Sequence, residues 1–249
     1  MTVFARYKLN DEVLHGIVVG ENIERISGTP LKHFDKTGQT DQLSQVKLLA
    51  PTSPGKIVAI GKNYITHLHG RQAPSIPEAF YKTTTSLIGP GDSIVIPPDA
   101  DNVEEEAELV VVIGKNCKNV SKEESMDYVF GYTCGNDVSA RDWQRDDLQW
   151  WRAKSSDTFS PAGPYLVTDL NPQDLELRCR VNGTEVQYTN TSELHFDIPT
   201  IISFTSQFIT LEVGDMIYTG TPGTPGQIKP GDTVEIEISG IGVLSNPVI

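Results

Sequence analysis

The chain is short of cysteine, of basic residues, of helical patterning and of long apolar runs, and each shortage removes a class of protein. Its three cysteines, Cys117, Cys134 and Cys179, are odd in number and nowhere spaced C-x-x-C. That argues against a disulfide framework or a thiolate metal site and suits a reduced, cytoplasmic setting. No stretch approaches the roughly 18 unbroken apolar residues that span a bilayer, and Met1 to Arg6 lacks a signal peptide's layout, so no membrane association is expected. Lysine and arginine total 20 against 33 acidic residues, a formal charge of −13. A nucleic-acid partner would need a basic face to neutralise phosphates, so none is expected. An anionic substrate would in turn need local positive charge, from a bound cation or from a few placed Lys and Arg side chains. Repeats and low-complexity tails are also lacking.

What is present is mostly strand. Three Gly-Asp turns each lead into a β-branched run: Gly91-Asp92 before Ser93 to Ile96, Gly214-Asp215 before Met216 to Thr219, and Gly231-Asp232 before Thr233 to Ile238. The last alternates strictly, with Val234, Ile236 and Ile238 on one face and Glu235 and Glu237 on the other, as a half-buried strand should. Residues 103–113, 165–168, 176–181 and 184–188 read as further strands, the last two joined by the hairpin turn Asn182-Gly183. Helices are few and short. Ser121-Lys-Glu-Glu124 is a capping box that predicts a helix over 122–129. Pro199 and the stripe Ile201, Ile202, Thr205, Phe208 predict one over 199–208, and a short one follows Ala140. A length of 249 residues suits one sizeable domain with a small appendage. Residues 1–50 read as a small β meander, with Phe4 to Leu9 and Gly16 to Val19 as its hairpin and a polar stretch over 35–42. Pro51-Thr-Ser-Pro54 reads as the linker into a main domain over 51–249.

The most informative stretch is Val103-Glu-Glu-Glu-Ala-Glu-Leu-Val-Val-Val-Ile-Gly114. Side chains at i and i+2 of a strand share a face, so Glu106 and Glu108 project side by side, with Val110 and Val112 continuing the face into the core. Two adjacent carboxylates at the edge of an apolar face repel each other and lose hydration, and a bound cation relieves both costs. A solvated acidic strand end is the plainer account of such a pattern, and Glu104 and Glu105 are read that way. A second acidic segment changes the balance: Asp137 ends a buried-looking strand in Gly131-Tyr-Thr-Cys-Gly-Asn-Asp-Val-Ser-Ala-Arg-Asp-Trp-Gln144.

These stretches, with Gly61-Lys-Asn-Tyr-x-x-His67, Ala153-Lys154-Ser155, Thr219-Gly-Thr-Pro222 and Lys229-Pro-Gly-Asp232, resemble the core signature of the fumarylacetoacetate hydrolase family, in order from about residue 55 to the C-terminus. The resemblance implies a β-rich α+β fold, a mixed β-sandwich roll whose open end holds a metal, and a homodimer. It also implies Glu106, Glu108 and Asp137 as metal ligands. An all-carboxylate set selects a hard cation, Mg²⁺ or Mn²⁺, with Ca²⁺ possible, and leaves about three octahedral positions for water or a 2-oxo acid.

By the same resemblance His67 is the catalytic base, on a loop that closes over the substrate, and imidazole suits the role because its pKa is near neutrality. Many members carry a glutamate three residues after this histidine, which pairs with it to activate water; Gly70 stands there in this chain. Lys154 matches a lysine near the metal that stabilises an oxyanion or holds the carboxylates, against the alternative of a surface lysine. Arg141 and Gln144, three apart on a helical turn, either bind substrate oxygens or brace that turn. Lys82 corresponds to a position near the substrate, although the proline usual after it is Thr83. Thr221 either approaches the substrate or forms part of a plain Gly-Pro turn. Asp142, Asp146 and Asp147 read as a solvated acidic face.

Three functions follow. The first is metal-dependent hydrolysis of a C–C bond in a 2,4-dioxo acid of the acylpyruvate type. The second keeps the site but makes it a 2-oxo acid decarboxylase or a 2-hydroxy-dienoate isomerase, acting on an oxaloacetate-like acid, and Gly70 favours it because proton transfer to an enolate needs no attacking water. The third is a non-catalytic metal-binding scaffold, which would tolerate loss of His67.

Overall fold

The computed structural model describes residues 1–249 and is dominated by strands, with three helices of 5 to 11 residues. One large mixed sheet runs in the order 34–42, 22–28, 12–19, 3–9, 160–167, 129–136, 107–113, 216–218, 57–61, 78–82. Most neighbours are antiparallel, but Met216–Tyr218 pairs parallel to Ile57–Gly61. A four-stranded antiparallel sheet, ordered 184–190, 176–181, 233–238, 242–247, packs over strands 107–113, 129–136 and 160–167. The β-rich α+β sandwich expected from the sequence is the fold observed. No helix is long and apolar enough to cross a membrane.

The core explains the strand patterns. Val234, Ile236 and Ile238 face the large sheet and meet Leu109, Val111 and Ile113, while Glu237 on the opposite face accepts a 2.7 Å bond from Arg180. Val110 and Val112 point the other way, into a second cluster with Ile57, Ala59, Met216 and Tyr218. Strand Ala107–Ile113 is thus buried on both faces, which is why it reads as a continuous apolar run. Each such side chain contributes roughly 1.5–3 kcal/mol of burial. The helix Ile198–Phe208 starts where Asp197 accepts the Thr200 N–H at 2.9 Å, and it buries Ile198, Ile201 and Ile202.

Four local expectations change. The capping box at Ser121 forms, with the Glu124 N–H donating to Ser121 Oγ at 3.3 Å. Only a single 3₁₀ turn, Ser125–Tyr128, follows, because Gly114 N–H binds the Tyr128 carbonyl at 2.7 Å and Val129 enters a strand. Ser93 to Ile96 makes no full strand; Ile94 and Ile96 bond the C-terminal residues 247–249 through an isolated parallel bridge. The polar stretch is itself a strand, Phe34–Gln42, paired with Asn22–Gly28. Pro51 and Thr52, read as a linker, are buried, and Thr52 Oγ1 donates to the Gly214 carbonyl at 2.8 Å. The large sheet continues from the N-terminal strands into the main body through Val3 opposite Val167 and Phe4 opposite Leu166.

Candidate metal centre and its cavity

The acidic segment sits where the backbone leaves the ladder. Residues 103–113 do not form one strand: pairing stops after Glu104 and resumes at Ala107. In the gap, Glu105 N–H donates to the Gly226 carbonyl (3.1 Å), Glu106 N–H to Asn136 Oδ1 (2.9 Å) and Ala107 N–H to Gln187 Oε1 (3.0 Å). Every freed backbone donor is satisfied, so the kink costs little hydrogen bonding. Asp137, just past strand Val129–Asn136, closes the gap by donating its N–H to the Glu106 carbonyl at 2.9 Å. The result brings one carboxylate oxygen each of Glu106, Glu108 and Asp137 within 4.8 Å of one another, all three side chains buried.

Cations surround the cluster unequally. Lys154 Nζ donates to Glu106 Oε2 at 2.6 Å and to Asp137 Oδ2 at 2.8 Å. Lys82 Nζ donates to Asp137 and to the Lys154 carbonyl. Arg141 Nη2 lies 2.5 Å from Glu106 Oε1, and its Nε donates to Glu104 Oε2 at 2.6 Å. Burial alone would raise the Glu106 pKa, but Arg141 and Lys154 overcome it and hold the carboxyl well below the usual range. Glu108 has no cation against it; it accepts only the Gly220 N–H, at 2.6 Å. Burial, then the charges of Asp137 and Glu106, push its pKa well up. Burial likewise lowers Lys82 and opposes the raised pKa of Lys154, which Asp137 and Glu106 sustain. A buried carboxylate facing two others without a counter-charge is the feature that a divalent cation fits, and the all-oxygen donor set suits a hard one.

The three acids open into a cavity of about 570 Å³ that His67, Arg141, Gln144, Lys154 and Thr221 also line. His67 stands on a short 3₁₀ turn, Ile65–Leu68, and its Nδ1 is 2.8 Å from the Gly223 carbonyl. A carbonyl only accepts, so Nδ1 carries the proton and Nε2 keeps a free lone pair. Burial lowers the His67 pKa. Arg141 Nη1 donates to Gln144 Oε1 at 2.9 Å, so the two brace each other while both still face the cavity.

Two sequence readings are corrected. Lys82, expected beside the substrate, lies behind Asp137 and does not line the cavity; its short reach from strand Glu78–Lys82 ends at Asp137. Glu105, read as solvated, is fully buried, with Oε1 accepting the Gly226 N–H at 2.8 Å, and burial pushes its pKa up to about 7. Asp146 and Asp147 pair at the surface with Arg145 and Arg152. Sequence reasoning assigned no role to Asn63, whose side chain ties the His67 loop to Thr219 (2.7 Å) and Phe196 (2.7 Å), nor to Asn136 or Gln187. Asn63 lies inside a quoted motif, which was its only signal; Gln187, on an alternating strand, carried none.

Comparison with known proteins adds the context. Residues 56–249 match the family described as fumarylacetoacetate (FAA) hydrolase C-terminal, and residues 4–51 the family described as Rv2993c-like, N-terminal. The mitochondrial oxaloacetate tautomerase of Xenopus laevis is 45% identical over 221 residues, 83% of this chain and 69% of that protein. The crystal structure of 2-hydroxyhepta-2,4-diene-1,7-dioate isomerase from Mycobacterium marinum superposes with a TM-score of 0.94 at 42% identity, covering 100% of this chain and 98% of that one. Maleylpyruvate hydrolase from Sphingobium sp. SYK-6, in complex with manganese(II) and pyruvate, gives a TM-score of 0.83 at 31% identity, covering 100% and 99%.

Proposed function

The chain belongs to the fumarylacetoacetate hydrolase family, and from that membership we propose that it interconverts the oxo and enol forms of a small 2-oxo dicarboxylic acid of the oxaloacetate type. The observation that carries this reading is the setting of His67. Its Nδ1–H is engaged by a neutral backbone carbonyl, and position 70 is a glycine at φ +82° with nothing within 4 Å of where a Cβ would stand. An imidazole so placed accepts and returns a proton, but lacks the adjacent carboxylate that would help it activate water. The names of the Xenopus laevis and Mycobacterium marinum proteins, a tautomerase and an isomerase, agree with proton transfer.

Glu106, Glu108 and Asp137 would hold Mg²⁺ or Mn²⁺, which when bound supplies Lewis-acid stabilisation of the charge developing on the 2-oxo oxygen. The protein's own groups do the remaining work. His67 Nε2 takes a proton from the carbon beside the oxo group as the carbonyl π pair moves onto the oxygen, and the resulting imidazolium returns that proton to the oxygen; the reverse regenerates the oxo form, with no proton gained or lost overall. Lys154 keeps Glu106 and Asp137 aligned, and helps hold Glu106 ionised, rather than touching the substrate first. Gln144, its oxygen taken by Arg141, offers its N–H₂ to a substrate oxygen. At the cavity mouth Lys62 pairs with Glu78 and Arg145 with Asp146, whereas Arg71 has no acidic partner and is the cation available to a second carboxylate. A homodimer that binds neither nucleic acid nor membrane belongs to the same reading, with sedimentation equilibrium as its check.

Hydrolysis of an acylpyruvate is the second reading, favoured by the likeness to the manganese- and pyruvate-bound hydrolase. The test is to give the Mn²⁺-loaded protein enol-oxaloacetate and an acylpyruvate side by side. The expected result is fast loss of the enol absorbance without release of pyruvate. Faster cleavage of the acylpyruvate would establish hydrolysis instead, and pyruvate released from oxaloacetate would establish decarboxylation.

A further inference from the structure

Gln187 belongs to strand Thr184–Asn190 of the small sheet, yet its amide reaches the centre, where it is 3% exposed. Its Oε1 accepts the Ala107 N–H at 3.0 Å, between the two ligand glutamates. Its Nε2 donates to the Pro222 carbonyl at 2.6 Å and to Thr221 Oγ1 at 2.9 Å. Ala107 N–H can only donate and the Pro222 carbonyl can only accept, so the amide cannot be turned over. Thr221 Oγ1 therefore accepts from Gln187, and its hydroxyl makes no other hydrogen bond within the protein. Thr221 is buried and lines the cavity, so the remaining direction for its proton is inward. The next residue but one, Gly223, supplies the carbonyl that fixes the His67 tautomer.

We propose that Gln187 is a positioning residue that makes Thr221 an obligate hydrogen-bond donor to the substrate anion while pinning segment 221–223 to the ligand-bearing strand. The proposal rests on the reading of the cavity as a 2-oxo acid site. It assigns selectivity: the position facing Thr221 takes an acceptor oxygen, a carboxylate or an oxo group, and disfavours a donor such as an alcohol. Glutamate at 187 would invert the arrangement, because a carboxylate accepts the Thr221 proton and draws it out of the cavity.

The experiment is calorimetric titration of oxalate into the Mn²⁺-loaded protein, which needs no turnover, with Mn²⁺ affinity measured separately by electron paramagnetic resonance. Thr221→Val and Gln187→Glu are each expected to weaken oxalate about tenfold or more, the lower end of what one hydrogen bond to a charged group contributes. Thr221→Ser, which keeps the hydroxyl, should stay within threefold of the parent. In the Thr221→Val background Gln187→Glu should cost less than threefold, and Mn²⁺ affinity should not weaken. Gln187→Met, which keeps the length and loses the donor, is a second variant should the glutamate fail to fold, and its loss should show the same dependence on Thr221. An equal loss from either position-187 variant with and without the Thr221 hydroxyl would overturn the proposal, as would Mn²⁺ affinity falling in step with oxalate affinity. If the Mn²⁺-loaded parent itself does not bind oxalate, which mimics the chelating end of a 2-oxo acid, the reading of the site falls and the proposal with it.

Discussion

His67 is tethered at Nδ1 to a backbone carbonyl and desolvated by the walls of the cavity, and both facts bear on how it responds to pH. Burial disfavours the imidazolium, so its pKa lies below the ordinary 6.5. The neutral, proton-accepting form therefore persists as pH falls through the range where a free histidine would already be charged. The acid limb of kcat/KM should have its midpoint below pH 6.5, and His67→Gln should lower kcat by roughly a hundredfold or more while leaving Mn²⁺ affinity unchanged. A midpoint above 6.5, or a mild effect of the substitution, would remove His67 from the chemistry. At this scale the sequence was legible in part. The acids and the histidine could be named from ordered motifs, but the Gly223 carbonyl lies 156 residues from His67 and no local pattern announces it. Glu105 could have been found by parity. It has the parity of Leu109 and Val111, which point into the sandwich, and its side chain reaches Cys179 there, but three consecutive glutamates read as solvated.

The strand Phe34–Gln42 shows why an element can be invisible to patterning. It has no buried face, so neither alternation nor an apolar run marks it, and it exists because Asn22–Gly28 offers an edge to pair with. Two residues anchor it to the interior: Phe34, whose ring packs edge-on against Phe4 at 5.7 Å, and Asp41, whose Oδ2 accepts from the Tyr7 hydroxyl at 2.5 Å while Arg25 binds both Asp41 oxygens at 3.1 and 2.8 Å. Asp41→Asn weakens the bond from Arg25 and the one from a buried phenol, a cost of about 1–3 kcal/mol. For a chain of this size that corresponds to a fall in Tm of roughly 2–4 °C per kcal/mol. Arg25 holds the Asp41 pKa below its ordinary 3.8, so this stabilisation is present above pH 3.8 and is lost as pH falls through the folded-state value. Thermal melts of parent and variant should thus differ at neutral pH and converge in acid; a gap that persists at the lowest pH would place the effect elsewhere. The capping box at Ser121 shows the converse case. Its local signal was sound, and strand pairing by Gly114 and Val129 overrode all but one turn of the helix.

At the scale of the whole molecule, the proposed function requires a chain of charge −13 to admit an anion. Of the side chains lining the cavity, five are cationic and four are carboxylates, so the pocket is close to neutral until a divalent ion enters. Three of the cations near the centre, Lys82, Lys154 and Arg141, are already paired with Asp137, Glu106 and Glu104, and Glu108 remains without one. Ion binding should therefore do two things at once: relieve the repulsion among three buried acids, and make the pocket positive enough to hold a 2-oxo acid against the field of the remaining surface. At a free ion concentration of 100 times Kd, ion binding stabilises the folded chain by about 2.7 kcal/mol. That corresponds to a rise in Tm of roughly 5–10 °C at this chain length. Adding oxalate should raise Tm further in Mn²⁺ and leave it unchanged in EDTA. Equal stabilisation by oxalate in EDTA would mean that the cationic side chains capture the anion unaided, and that the acidic triad serves the architecture rather than the substrate.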